Sequence, residues 1–119
     1  MTNLELSLLA AKTLSNKKAE DVLLIDIQEK ATFADYFVIC SGNSERQVEA
    51  LADEVEFQLG SEIEHEVGYH KEGYGSAEWI LLDYKDVIVH IFCGETRDFY
   101  NIEHLWSDGT EVDINEFLD

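Results

Sequence analysis

The candidate donors for a zinc site are His65, His70, His90, Cys93 and His104. Zinc needs nitrogen and sulfur donors that converge on one point, and these do not. His90 and Cys93 stand three apart in a run that reads as a strand, so their side chains leave opposite faces. His65 and His70 fall in a polar, acidic stretch. Neither Cys40 nor Cys93 has a basic cluster beside it to lower its thiol pKa, which leaves a cysteine nucleophile unsupported. Both thiols read as buried, inert groups. The lack of a C-x-x-C pair and of an amino-terminal signal segment points to a reducing cytoplasm.

Carboxylates are plentiful, but two-metal chemistry needs acids that converge on ions about 4 Å apart. Asp83 and Asp86 flank a turn, where they suit capping of backbone amides. Asp26 sits mid-strand as a candidate buried acid with no matching partner, and reads as hydrogen-bonded structure. A glycine-containing turn entering a helix can present amides to phosphate, and S-G-N-S at 41–44 is such a turn. It has no lysine and matches neither G-x-x-x-x-G-K-[ST] nor G-x-G-x-x-G, while Ser44 and Gln47 form a capping box without any ligand. The expectation is therefore no catalytic residue, no metal and no cofactor. The alternative is a cryptic nucleotide-binding enzyme using 41–44 for phosphate and Asp26 or Asp83 for metal.

The elements that hold these residues are legible from periodicity. Leu4, Leu8, Ala11 and Leu14 share a helical face, with Thr2 or Asn3 as cap. Apolar runs at 21–27 and 36–40 read as strands, joined by a connection too short for a crossover helix and so antiparallel. A helix opens after Ser44, lines Val48, Leu51, Ala52, Val55 and Leu59 on one face, and can end at Gly60 in a left-handed conformation. A weak edge strand is expected at 63–67. Runs at 79–82 and 87–92 flank Asp83-Tyr84-Lys85-Asp86 and predict a hairpin. From Thr96, the spacing of Phe99, Ile102 and Leu105 is helical. The resulting fold class is α/β of the α+β kind: one domain over 1–112 with a mixed sheet and helices packed on it, followed by an acidic tail at 113–119. The stretch from Ser107 onward is expected to be only partly ordered.

The chain has 119 residues and 45% hydrophobic content, enough for one core. Its 26 acidic against 8 basic side chains give a net charge of −18. Such a surface repels phosphate, so direct DNA binding and anionic membranes are disfavoured and a basic protein partner fits. No apolar run approaches the ~20 residues of a membrane span. Trp79, Tyr84, Phe92, Phe99, Tyr100 and Trp106 cannot all be core in so small a domain, and aromatic residues anchor interfaces. Phe92 and Phe99 are expected inside, and Trp79 exposed.

Four ordered blocks carry a family resemblance: D-Y-F-V-I-C-S-G-N-S-E-R-Q-V from Asp35, E-G-Y from Glu72, W-I-L-L-D-Y-K-D-V-I-V-H-I-F from Trp79 and R-D-F-Y-N-I-E-H-L-W from Arg97. The chain resembles the ribosomal silencing factor family, also called RsfS or Iojap, over nearly its whole length. The family more often has Gly where Lys85 stands. The resemblance implies a nucleotidyltransferase-like mixed sheet without the catalytic motif. It implies a translation repressor, not an enzyme, that binds the large ribosomal subunit through its protein number fourteen, blocks joining of the small subunit when nutrients are short, and is a homodimer when free. On that reading Trp79, Ile80, Leu82 and Tyr84 form the contact centre with Gly73 and Tyr74 beside it. Glu72, Asp83 and Asp86 face the basic partner, and His90 is either a contact or a core histidine.

Overall fold

The computed structural model describes residues 2–60, 70–72, 78–94, 96–101 and 109–115. Along the chain run α1 (Asn3–Asn16), β1 (Glu20–Asp26), β2 (Tyr36–Gly42), α2 (Glu45–Gly60), β3 (His70–Glu72), β4 (Trp79–Asp83), β5 (Val87–Cys93), α3 (Thr96–Tyr100) and β6 (Thr110–Val112). The strands form one six-stranded sheet in the order β3-β4-β5-β2-β1-β6. β2 and β5 are parallel and the other neighbours antiparallel, so the sheet is mixed as expected.

Thr2 starts α1 with a full capping box: its hydroxyl accepts from the Glu5 N–H at 3.1 Å and the Glu5 carboxylate accepts from the Thr2 N–H at 3.0 Å. Asn3 has a different task, donating through Nδ2 to Asp35 at 2.9 Å and Asp86 at 3.3 Å. The buried residues of α1 are Ser7, Ala10, Ala11, Thr13 and Leu14, a face turned from the expected stripe so that Leu4 is exposed. Small residues at that face let α1 lie close to its neighbours.

Ser44 caps α2 by accepting from the Gln47 N–H at 3.1 Å, and the Gln47 side chain accepts from the Asn43 N–H. Val48, Leu51, Ala52, Val55 and Leu59 are buried as the periodicity predicts, each large one contributing about 1.5–3 kcal/mol. Gly60 does not take the expected left-handed conformation, since Gly94 is the positive-φ glycine among the described residues. Gly42 packs closely on α2: a Cβ there would lie 3.0 Å from Val48 Cγ2, tight enough that the valine would have to shift.

The sheet separates two cores. Leu24, Tyr36, Val38, Cys40, Ile80, Leu82, Tyr84, Val87, Val89 and Ile91 point to the side covered by α1 and α2. Ile25, Phe37, Ile39, Ile88 and Phe92 point to the other side, with Leu23, Trp79 and Leu81 half-buried at its margin. Within the stretch after Ser107, read from sequence as only partly ordered, Thr110–Val112 pairs with Leu24, Ile25 and Asp26 as edge strand β6, an element the sequence reading did not include. Three residues with two polar side chains gave no readable period. The strand expected at 63–67 lies outside the described residues, as does the continuation of α3 toward Leu105.

Candidate partner-binding face

The β4–β5 hairpin forms where its turn sequence predicts. The Tyr84 N–H donates to the Val87 carbonyl at 2.9 Å, and the Asp83 carboxylate accepts from the Lys85 N–H at 2.8 Å. Lys85 takes φ of 75°, a left-handed value that costs a residue with a Cβ but not a glycine. The Asp86 carbonyl accepts from the N–H groups of Asp35 and Tyr36, and its side chain accepts from Asn3. Both turn acids therefore have structural work, and both remain half-buried.

Alternation along β4 divides the proposed contact residues. Burial runs half-buried, buried, half-buried, buried, half-buried from Trp79 to Asp83. Ile80 and Leu82 are fully buried under the helices, and Tyr84 is 3% exposed. These three are core residues, which corrects their assignment to a contact centre: a strand shows a partner only every second side chain on one face. Trp79, Leu81 and Asp83 share the opposite face. Leu81 was missed although the period of two marks it. Trp79 is half-buried, not exposed, because it stacks on Phe92 with ring centres 5.2 Å apart and planes 22° apart. Phe92 is core as expected. Glu72 sits opposite Leu81 in the β3–β4 register, while Gly73, Tyr74 and the side chain of Phe99 lie outside the described residues.

His90 pairs with Leu81 across the hairpin and is 3% exposed. Its Nδ1 accepts from the Trp79 Nε1–H at 3.2 Å, and the Phe37 ring meets it edge-on at 4.7 Å. Burial disfavours the imidazolium and lowers the His90 pKa to about 4. His90 is a core histidine that touches the margin through Trp79.

The residues of the nucleotide-binding alternative do not assemble. Asp83 pairs with Ile88, Ile88 with Phe37 and Phe37 with Ile25, so Asp83 and Asp26 lie three strand spacings apart, roughly 14 Å. Asp26 is a half-buried strand-end residue that accepts from the Gln28 N–H at 3.0 Å, not a buried mid-strand acid. The turn at 41–44 is at the other end of β2, and its Asn43 and Gln47 amides are already bonded within the cap. A cavity of about 500 Å³ does open there. Its cation, Arg97, is buried and donates to the Asp21 carbonyl at 2.7 Å and the Ser41 hydroxyl at 3.1 Å. Glu20, Asp21 and Asp98 line the same cavity, a poor setting for phosphate. Among the described residues no group of three His, Cys, Asp or Glu could hold a metal, and no helix is long and apolar enough to cross a membrane.

Burial raises the Cys40 thiol to about 12 and pushes the half-buried Cys93 thiol up, helped by Glu45 and Glu78. Cys93 packs toward the helix-covered core, on the side away from His90, as the strand spacing predicts.

Comparison with known proteins agrees with this architecture. A ribosomal silencing factor from Halalkalibacterium halodurans is 42% identical over 117 residues, covering 96% of both chains. A crystal structure of a Chromobacterium violaceum protein superposes with a TM-score of 0.83 at 35% identity, covering 90% of this chain and 88% of that one. More distantly, the mouse mitochondrial assembly of ribosomal large subunit protein 1 is 28% identical over 95 residues, 79% of this chain but 42% of that protein. The family model described as ribosomal silencing factor during starvation matches residues 1–119. With that match over its whole length, the chain belongs to the ribosomal silencing factor family, RsfS.

Proposed function

We propose that this protein is a translation repressor that binds the large ribosomal subunit through its protein number fourteen and blocks joining of the small subunit under nutrient limitation. The observation that carries the reading is the Trp79 indole, half-buried at the sheet margin and ordered by a stack and a hydrogen bond on a molecule of net charge −18. An ordered aromatic anchor with Leu81 beside it and acids around it suits a basic ribosomal protein. Repression then needs no chemistry, because a protein seated at a subunit junction excludes the other subunit by its volume. The centre is Trp79 and Leu81, with Asp83 on the same strand face and Glu72 opposite Leu81 in the strand register, and Gly73 and Tyr74, next in sequence, are proposed to complete the contact. Residues of the free protein's docking face can also pair two copies, which supports a homodimer when free, in the cytoplasm.

Sucrose-gradient sedimentation tests this directly. The wild type is expected to travel with free large subunits and to reduce the yield of joined ribosomes. Trp79→Ala and Asp83→Lys, both checked for folding, are expected to remain nearer the top. Wild-type protein that stays at the top of the gradient would end the proposal.

A further inference from the structure

The hydrogen bond from Trp79 to His90 fixes the tautomer of the imidazole. Because Nδ1 accepts at 3.2 Å, the ring proton resides on Nε2. That Nε2 is buried with no hydrogen-bond partner among the described residues. A buried N–H without an acceptor is unfavourable, and the surroundings, Phe37 at 4.7 Å and Phe92 at 6.2 Å between ring centres, would accept an apolar side chain without it. Stability alone does not account for a histidine here.

What histidine adds is an acceptor for the indole. Trp79 opens β4, and its ring lies diagonally across the hairpin between its direct partner Phe92 and His90, 5.8 Å from the imidazole centre. Stacking leaves a ring free to slide and turn in its plane, whereas a directed N–H bond sets that angle. We propose that His90 is a positioning residue that holds the Trp79 indole in its docking orientation, although the fold is less stable for it. This rests on the docking face proposed above. Presetting the anchor lowers the ordering cost of association, which is how a side chain that never touches the partner raises affinity.

Two substitutions separate positioning from structure. His90→Leu has comparable volume and no acceptor, while His90→Asn is smaller and more polar but places Oδ1 near the position of Nδ1. Each is compared with wild type by thermal unfolding, by exchange of the Trp79 indole N–H in nitrogen-15 spectra, and by co-sedimentation with purified large ribosomal subunits. Trp79→Phe identifies the indole signal. His90→Leu is expected to match or exceed wild type in melting temperature, yet to exchange its indole proton faster and bind large subunits about tenfold more weakly. His90→Asn is expected to melt lower and bind nearly as wild type. A structural role predicts the reverse order, and binding that follows melting temperature overturns the proposal. If Trp79→Ala weakens binding while His90→Leu does not, the role of His90 alone is wrong. If Trp79→Ala also binds as wild type, the docking face fails and the positioning role with it.

Discussion

His90 gives the fold a specific acid sensitivity. Its pKa falls from the ordinary 6.5 to about 4 on burial, so between those values the unfolded chain binds a proton that the folded chain does not. Stability is then fully present above 6.5 and is lost as pH drops toward 4, by about 3 kcal/mol in all. Urea unfolding at pH 7 and pH 4.5 should show this loss in wild type in excess of that in His90→Leu, which lacks the buried imidazole; equal losses would mean His90 titrates normally. Cysteine labelling offers a second check at this scale. With Cys40 fully buried and its thiol raised to about 12, iodoacetamide at pH 8 should modify Cys93 in the native protein and Cys40 only after denaturation. Native labelling of Cys40 would show that the helix-covered core opens readily.

At the scale of elements, the turn of the β4–β5 hairpin carries strain at one position. Lys85 at φ 75° occupies a conformation that glycine adopts freely. Lys85→Gly is expected to stabilise the protein by about 0.5–1 kcal/mol despite the added freedom of the unfolded chain, read as a higher urea midpoint. A lower midpoint would mean that the lysine side chain contributes more than the backbone loses. The hairpin, α2 with its Ser44 cap and the β1–β2 pair were legible because local chemistry decides them: turn acids, a capping box and unbroken apolar runs. The Trp79-to-Leu82 run was harder to divide, since four consecutive large apolar residues hide which ones face the helices. Only the register, with Ile80 opposite Ile91 and Leu81 opposite His90, assigns the faces. β6 was illegible for the opposite reason: its three residues are held by the edge of β1 rather than by any pattern of their own. The family resemblance supplied the membership that local chemistry did not reach.

The molecule as a whole carries −18 charges, and a basic target should be drawn to it over a distance set by the ionic strength. Association with large subunits is expected to slow several-fold between about 50 and 300 mM salt, with a smaller change in dissociation, in stopped-flow measurements. Salt-independent association would indicate that apolar contact alone governs the encounter. The centre of the sheet has a further consequence for how the molecule comes into being. Two antiparallel hairpins, β1–β2 and β4–β5, are each closed by near neighbours, but they meet through the parallel β2–β5 seam, where Tyr36 finds Val87 and Gly42 finds Cys93. Joining residues that distant in sequence loses more chain entropy than closing either hairpin. A nascent chain can therefore complete its first hairpin and α2 early, yet must wait for β5 before the sheet has a middle. Until then β2 offers the edge of an apolar strand to any other chain that reaches it first.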